Sequence, residues 1–206
     1  MAELNPRHWF LPETPDVIGL LQAQVAVTVE GADAFVAWAG SGSVTLAELT
    51  EIEIRADRGK RELLHTLREA FVTPLEPEDL FMLSRETDWI LNGIGDLVAE
   101  AEALGFGPDA TLLEMATLLA AAVHEIEVAV AALAGSAQAS TEAADRAIER
   151  VRELEQVYFA GIASTILLED RAERISRREL YRRCVGISET VIDVADRTVY
   201  VVVRAS

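Results

Sequence analysis

Apolar residues return every three or four positions along nearly the whole chain, and no stretch alternates apolar with polar residues as a half-buried strand requires. Six long segments carry this helical repeat, separated by breakers. Val17, Leu20, Leu21, Val25, Val29, Ala32 and Val36 form the stripe of the first, with Thr14 as its expected N-cap and Pro15 at its first position. The second opens at Thr45, where Glu48 stands at capping-box spacing, and buries Leu49, Ile52, Ala56, Leu63 and Leu67. The third follows the breaker "TPLEP" and carries Leu80, Leu83, Ile90, Ile94, Leu97 and Ala101 up to "GFGPD". Gly93 and Gly95 inside it mark a close helix crossing or a weak bend. The fourth, "ATLLEMATLLAAAVHEIEVAVAALAG", is rich in alanine and lacks Lys and Arg, which predicts a central position. The fifth is expected after "SAQAST", from Glu142. The sixth is expected from Ser176, where Glu179 repeats the capping-box spacing. The closing "TVYVVV" continues the stripe Leu180, Cys184, Ile187, Val191 and Val194, so it is assigned to the helix and not to a lone strand. The pattern predicts an all-α bundle whose short turns favour antiparallel neighbours.

Composition narrows the partners more than the fold. The 206 residues carry a formal charge of −17 and are 50% hydrophobic, enough for a substantial core. So acidic a surface argues against nucleic acid and toward cations or basic protein surfaces. One cysteine, Cys184, excludes an intrachain disulfide and a Cys-rich metal centre. The first twenty residues lack a basic region followed by an apolar run, and no uncharged stretch reaches about 18 residues, so a cytoplasmic protein is expected. Charge is unevenly spread: residues 72–145 hold 14 acids and one base, whereas residues 171–206 hold eight arginines and five acids. The cluster Arg171, Arg174, Arg177, Arg178, Arg182 and Arg183 is either a solvated helix junction or a contact for an anionic surface.

Nucleotide-binding, zinc-protease and nucleophile-elbow motifs are absent from the sequence, and His8, His65 and His124 fall in separate segments. The chemistry that stands out is oxygen ligands one helical turn apart. Glu53 and Asp57 share a face, as do Asp88 and Asn92, and Glu189 and Asp193 with Asp196 a turn beyond. Like charges at this spacing repel, and facing helices that present them can surround a hard cation; a solvated acidic face is the other explanation.

"EIEIRADRGKRELLHTLREAFVTPLEPEDLFMLSRETDWILNGI" and "LYRRCVGISETVIDVADRTV" resemble the PhoU-like proteins, specifically the DUF47 group of phosphate transport regulators, also called Pit accessory proteins. The most specific part is Glu53, Ala56 and Asp57 followed by "FVTPLEPEDL". The resemblance implies two repeated three-helix bundles, over residues 14–105 and 108–204, behind a tail of residues 1–13. It also implies metal ligands at Glu53, Asp57, Asp88 and Asn92 in the first repeat and at Glu155, Glu189 and Asp193 in the second. The cation the resemblance implies is a divalent or trivalent ion among Fe, Mn, Mg, Ca and Zn. This chain departs from the family where Phe159 replaces the oxygen ligand one turn beyond Glu155, and where Asn92 replaces a carboxylate. The implied function is a non-enzymatic accessory to a Pit-type inorganic phosphate permease, cytoplasmic and peripheral at the inner face of the cell membrane. Contacts with anionic headgroups and self-association into a homo-oligomer are further expectations. A metal-dependent helical enzyme and a structural oligomerisation module are the alternatives.

Overall fold

The computed structural model describes residues 15–205. Among them are six helices and no strand: α1 (Val17–Ser41), α2 (Leu46–Glu69), α3 (Pro77–Leu104), α4 (Ala110–Ala132), α5 (Ala137–Thr165) and α6 (Arg171–Ala205). The expected stripes are the buried faces, and "TVYVVV" belongs to α6. The tail of residues 1–13 and the proposed Thr14 cap lie outside the described residues.

Helix starts follow whichever side chain reaches the orphan N–H groups of the first turn. At α1 that residue is Asp16, whose Oδ1 accepts from the Gly19 N–H at 2.8 Å, so Pro15 precedes the helix instead of opening it. Thr45 and Glu48 form the expected reciprocal box at α2. Two starts differ from the sequence expectation. α5 begins at Ala137, five residues early, because Ser136 accepts from the Ala139 N–H and the Ser140 hydroxyl donates to the Ala129 carbonyl at 2.8 Å. α6 begins at Arg171, not after Ser176, because Asp170 Oδ1 accepts from the Ala172 N–H at 2.7 Å. Ser176 is left buried in the helix interior, its S-x-x-E spacing without a capping role.

α1, α2 and α3 pack on one another, and so do α4, α5 and α6. The two groups are joined where α1 lies against α4 and α3 against α6. Buried apolar side chains form one continuous cluster across both groups. α3 turns into α4 at Gly105, whose φ of 71° lies in the left-handed region that a side chain disfavours. Gly93 marks a close crossing of α3 and α6: a Cβ there would stand 2.8 Å from Ile187 Cγ1. Of the two explanations for this glycine, the close crossing is the one observed.

α4 is the one helix among the described residues long and apolar enough to cross a membrane by composition, with a mean hydropathy of 1.6 over the qualifying stretch. Its position explains that composition. It packs against α1, α5 and α6, and Leu112, Met115, Leu119, Val123 and Ile126 are buried between them. Its polar flank is engaged as well, with His124 Nε2 3.0 Å from Asp33 Oδ1 and Glu125 Oε2 2.9 Å from Arg146 Nε. It is the central helix that its alanine content predicts.

Candidate functional site

Two polar seams run through the bundle. The first lies between α2 and α3. Glu53, Asp57 and Lys60 recur at helical spacing on α2, as do Asp88, Asn92 and Asp96 on α3. Asp88 is 3% exposed, and its Oδ2 accepts from Lys60 Nζ at 2.5 Å and from Asn92 Nδ2 at 3.1 Å. Asp57 Oδ2 lies 2.9 Å from Arg61 Nη2 toward solvent. Glu53 points at α3, its Oε2 3.5 Å from where a Cβ on Gly95 would sit. Burial, reinforced by Asp57, Asp96 and Asp88, holds its carboxyl above the ordinary range.

The structure therefore gathers Glu53, Asp57, Asp88 and Asn92 in one seam, and it adds two residues that sequence reasoning missed, Lys60 and Asp96. Lys60 carries a readable signal: it is the only lysine in the 206 residues. The second expected set stands apart from this seam. Glu155 is half-buried on α5, and Glu189 and Asp193 lie on the exposed face of α6. Among the described residues, no group of three His, Cys, Asp or Glu side chains converges closely enough to hold a metal ion. The donors of the α2–α3 seam do not fit a metal as they stand, because an ammonium and an amide N–H already occupy the Asp88 oxygen.

A carboxyl held above its unfolded value contributes stability below the unfolded pKa and loses it as pH rises through the folded one. Glu53 thus works against folding at neutral pH. Glu53→Gln is expected to raise the urea midpoint at pH 7 by the equivalent of about 0.5 kcal/mol, the scale of a like-charge pair one turn apart. The gain should vanish at pH 4, where wild-type Glu53 is itself largely protonated. Equal midpoints at pH 7 would contradict the placement of Glu53 among the acids.

The second seam joins α3 to α6 and accounts for the uneven charge along the chain. Arg204 Nη1 lies 3.2 Å from Asp79, Arg197 Nη2 3.4 Å from Glu86, and Arg183 pairs with Glu100 and reaches Asp96 at 3.7 Å. Asp79 and Glu86 are buried; burial holds the Glu86 carboxyl above its ordinary range even against the opposing pull of Arg197. The acidic middle of the sequence and its arginine-rich end are thus two faces of one interface. At the α4 end of the seam, Asp109 caps α4 through Oδ1, accepting from the Leu112 N–H at 2.9 Å. Its Oδ2 accepts from the Tyr181 hydroxyl and lies 2.5 Å from Arg177 Nη1. Burial, with the Asp109 hydrogen bond, pushes the Tyr181 hydroxyl up to about 12.

Most of the arginine cluster is consumed internally. Arg177 also pairs with Glu173, Arg182 with Glu179, and Arg174 donates to the Leu168 carbonyl. Arg171 and Arg178 are exposed, with no ion pair among the described residues. Cys184 is fully buried and burial alone pushes its thiol up to about 12, so it remains a protonated core side chain.

No family model matches the sequence. UPF0111 protein YkaA of Bacillus subtilis (strain 168) is 33% identical over 92 residues, which are 42% of this chain and 45% of that protein, so the match spans less than half of either. Two solved structures from Shewanella oneidensis MR-1 are similar over 92% of this chain and the whole of their own. One is a PhoU-like protein, with a TM-score of 0.73 and 18% identity. The other, described as a candidate PhoU-like phosphate regulatory protein, has a TM-score of 0.67 and 15% identity. With the helix order, the two joined three-helix groups and this agreement along nearly the whole chain, the protein has the PhoU-like fold.

Proposed function

We propose that this protein is a non-enzymatic regulator of inorganic phosphate transport that acts with a Pit-type permease at the cytoplasmic face of the membrane. The observation that carries this reading is the likeness, over 92% of the chain, to PhoU-like structures, one of them described as a phosphate regulatory candidate. The seams support action by binding: their acids are engaged by Lys60 and by arginines of the same chain, and the thiol of Cys184 is inaccessible.

The permease contact belongs at the α5–α6 turn. Ile166 and Leu167 are 73% and 84% exposed there; Arg171, at the start of α6, and Arg178, about two turns along it, are also exposed. Exposed neighbouring apolar side chains rimmed by charge are the composition of a docking patch. Arg177 and Arg183 are held by acids of other elements, and Arg174 and Arg182 by the Leu168 carbonyl and Glu179. Ile166→Ser/Leu167→Ser is expected to reduce co-sedimentation with permease-containing membranes by about tenfold, the equivalent of roughly 1.4 kcal/mol. Deleting the gene should alter phosphate uptake in cells that depend on that permease. Equal recovery on permease-free membranes, or uptake indifferent to the deletion, would overturn the reading.

A further inference from the structure

The α2–α3 seam is a built cation site with a cation already in it. Asp88 is 97% buried, and a carboxylate so placed needs a partner charge. Lys60 provides it from the facing helix at 2.5 Å, with its side chain 24% exposed, so most of the lysine is enclosed in the seam. Asn92 directs its amide nitrogen at the same Asp88 oxygen, 3.1 Å away. Two donors on one oxygen leave little lone-pair capacity for a metal, and Asn92 shows the seam its donor end.

The choice of lysine carries weight of its own. Seventeen of the 18 cationic side chains are arginines, and every ion pair of the α3–α6 seam uses a guanidinium. Guanidinium is a planar fork, whereas ammonium is a compact point charge with three donors, the closer analogue of a bare cation among oxygens. The one lysine stands in the seam where burial, with Asp57, Asp96 and Asp88 nearby, raises the Glu53 carboxyl.

We infer that the resident cation of the α2–α3 seam is the chain's own Lys60 ammonium, and that the seam therefore takes up no divalent metal. This inference concerns the seam and stands independently of the permease reading.

The probe is Mn²⁺ alone, applied by equilibrium dialysis to untagged protein and read by elemental analysis. Wild type is expected to retain no stoichiometric metal at ~10 µM free Mn²⁺, a concentration at which carboxylate-rich sensor sites fill. Lys60→Met keeps the stem and removes the charge. In metal-free buffer, Lys60→Met should lower the urea midpoint and Asp88→Asn should restore it in the double variant. Should Lys60→Met not fold, wild type supplies the test: acylation of the single lysine, read on one peptide by mass spectrometry, should not change when Mn²⁺ is added. Wild-type uptake of Mn²⁺ that Asp88→Asn removes, Lys60 acylation that rises with Mn²⁺, or a Lys60→Met variant as stable as wild type would each overturn it.

Discussion

Asp109→Ala should cost about 4 kcal/mol of folding stability, since one carboxylate serves partners on two helices, α4 and α6. The cap of α4 alone is worth about 1 kcal/mol. Each hydrogen bond to a charged group adds about 1.5–3 kcal/mol, and the substitution removes those from Tyr181 and Arg177 together. Asp109→Asn keeps one side-chain oxygen for the cap but places an NH2 where Oδ2 accepts from Tyr181 and faces Arg177, so it should recover about the cap's share of the loss and little more. Urea denaturation with an unchanged slope reads both. A loss no larger than a cap's in Asp109→Ala would show that the Tyr181 and Arg177 contacts contribute nothing net.

The second large effect lies between α1 and α3. Gln24 and Ser84 are buried at 1% and 0% exposure and bond reciprocally: Gln24 Nε2 donates to the Ser84 carbonyl at 2.8 Å, and the Ser84 hydroxyl donates to Gln24 Oε1 at 2.6 Å. Gln24→Ala removes a buried side chain and strands the serine hydroxyl, for about 3 kcal/mol. Ser84→Ala strands Gln24 Oε1 at a cost of about 1–3 kcal/mol. Because each change removes the other's partner, the double variant should lose less than the sum, by about 1 kcal/mol or more. Strict additivity would mean that the two side chains do not act as a pair.

Helical periodicity predicted all six helices because each buries a stripe, and a stripe is a property of one segment: Leu80, Leu83, Ile90, Ile94 and Leu97 read the same in the sequence as in the core. Caps were legible only in part. Thr45 and Ser176 have the same S/T-x-x-E spacing, yet only Thr45 follows a chain break; Asp170 starts α6 six residues before the serine. Spacing along α2 or α3 also predicted Glu53 with Asp57 and Asp88 with Asn92. Lys60 and Asp96 continue those same spacings, but their part in the seam appears only through the register of one helix against the other. The second acidic set failed to gather for the same reason: Glu189 and Asp193 share a helix face, and in the bundle that face is exposed. The arginine cluster of α6 looked like an outward-facing surface because its partners, Asp96, Glu100 and Asp109, lie some seventy residues or more away in sequence.

The α3–α6 seam imposes an order on biosynthesis. Asp79 and Glu86 find their counter-charges in Arg204 and Arg197, which leave the ribosome more than a hundred residues after them. Until α6 emerges, a nascent α1–α3 unit must either hold two carboxylates uncompensated at its surface of closure or keep that surface wet. The final helix is in this sense the latch of the molecule, and a chain stalled before it would be left open along the face that α3 offers.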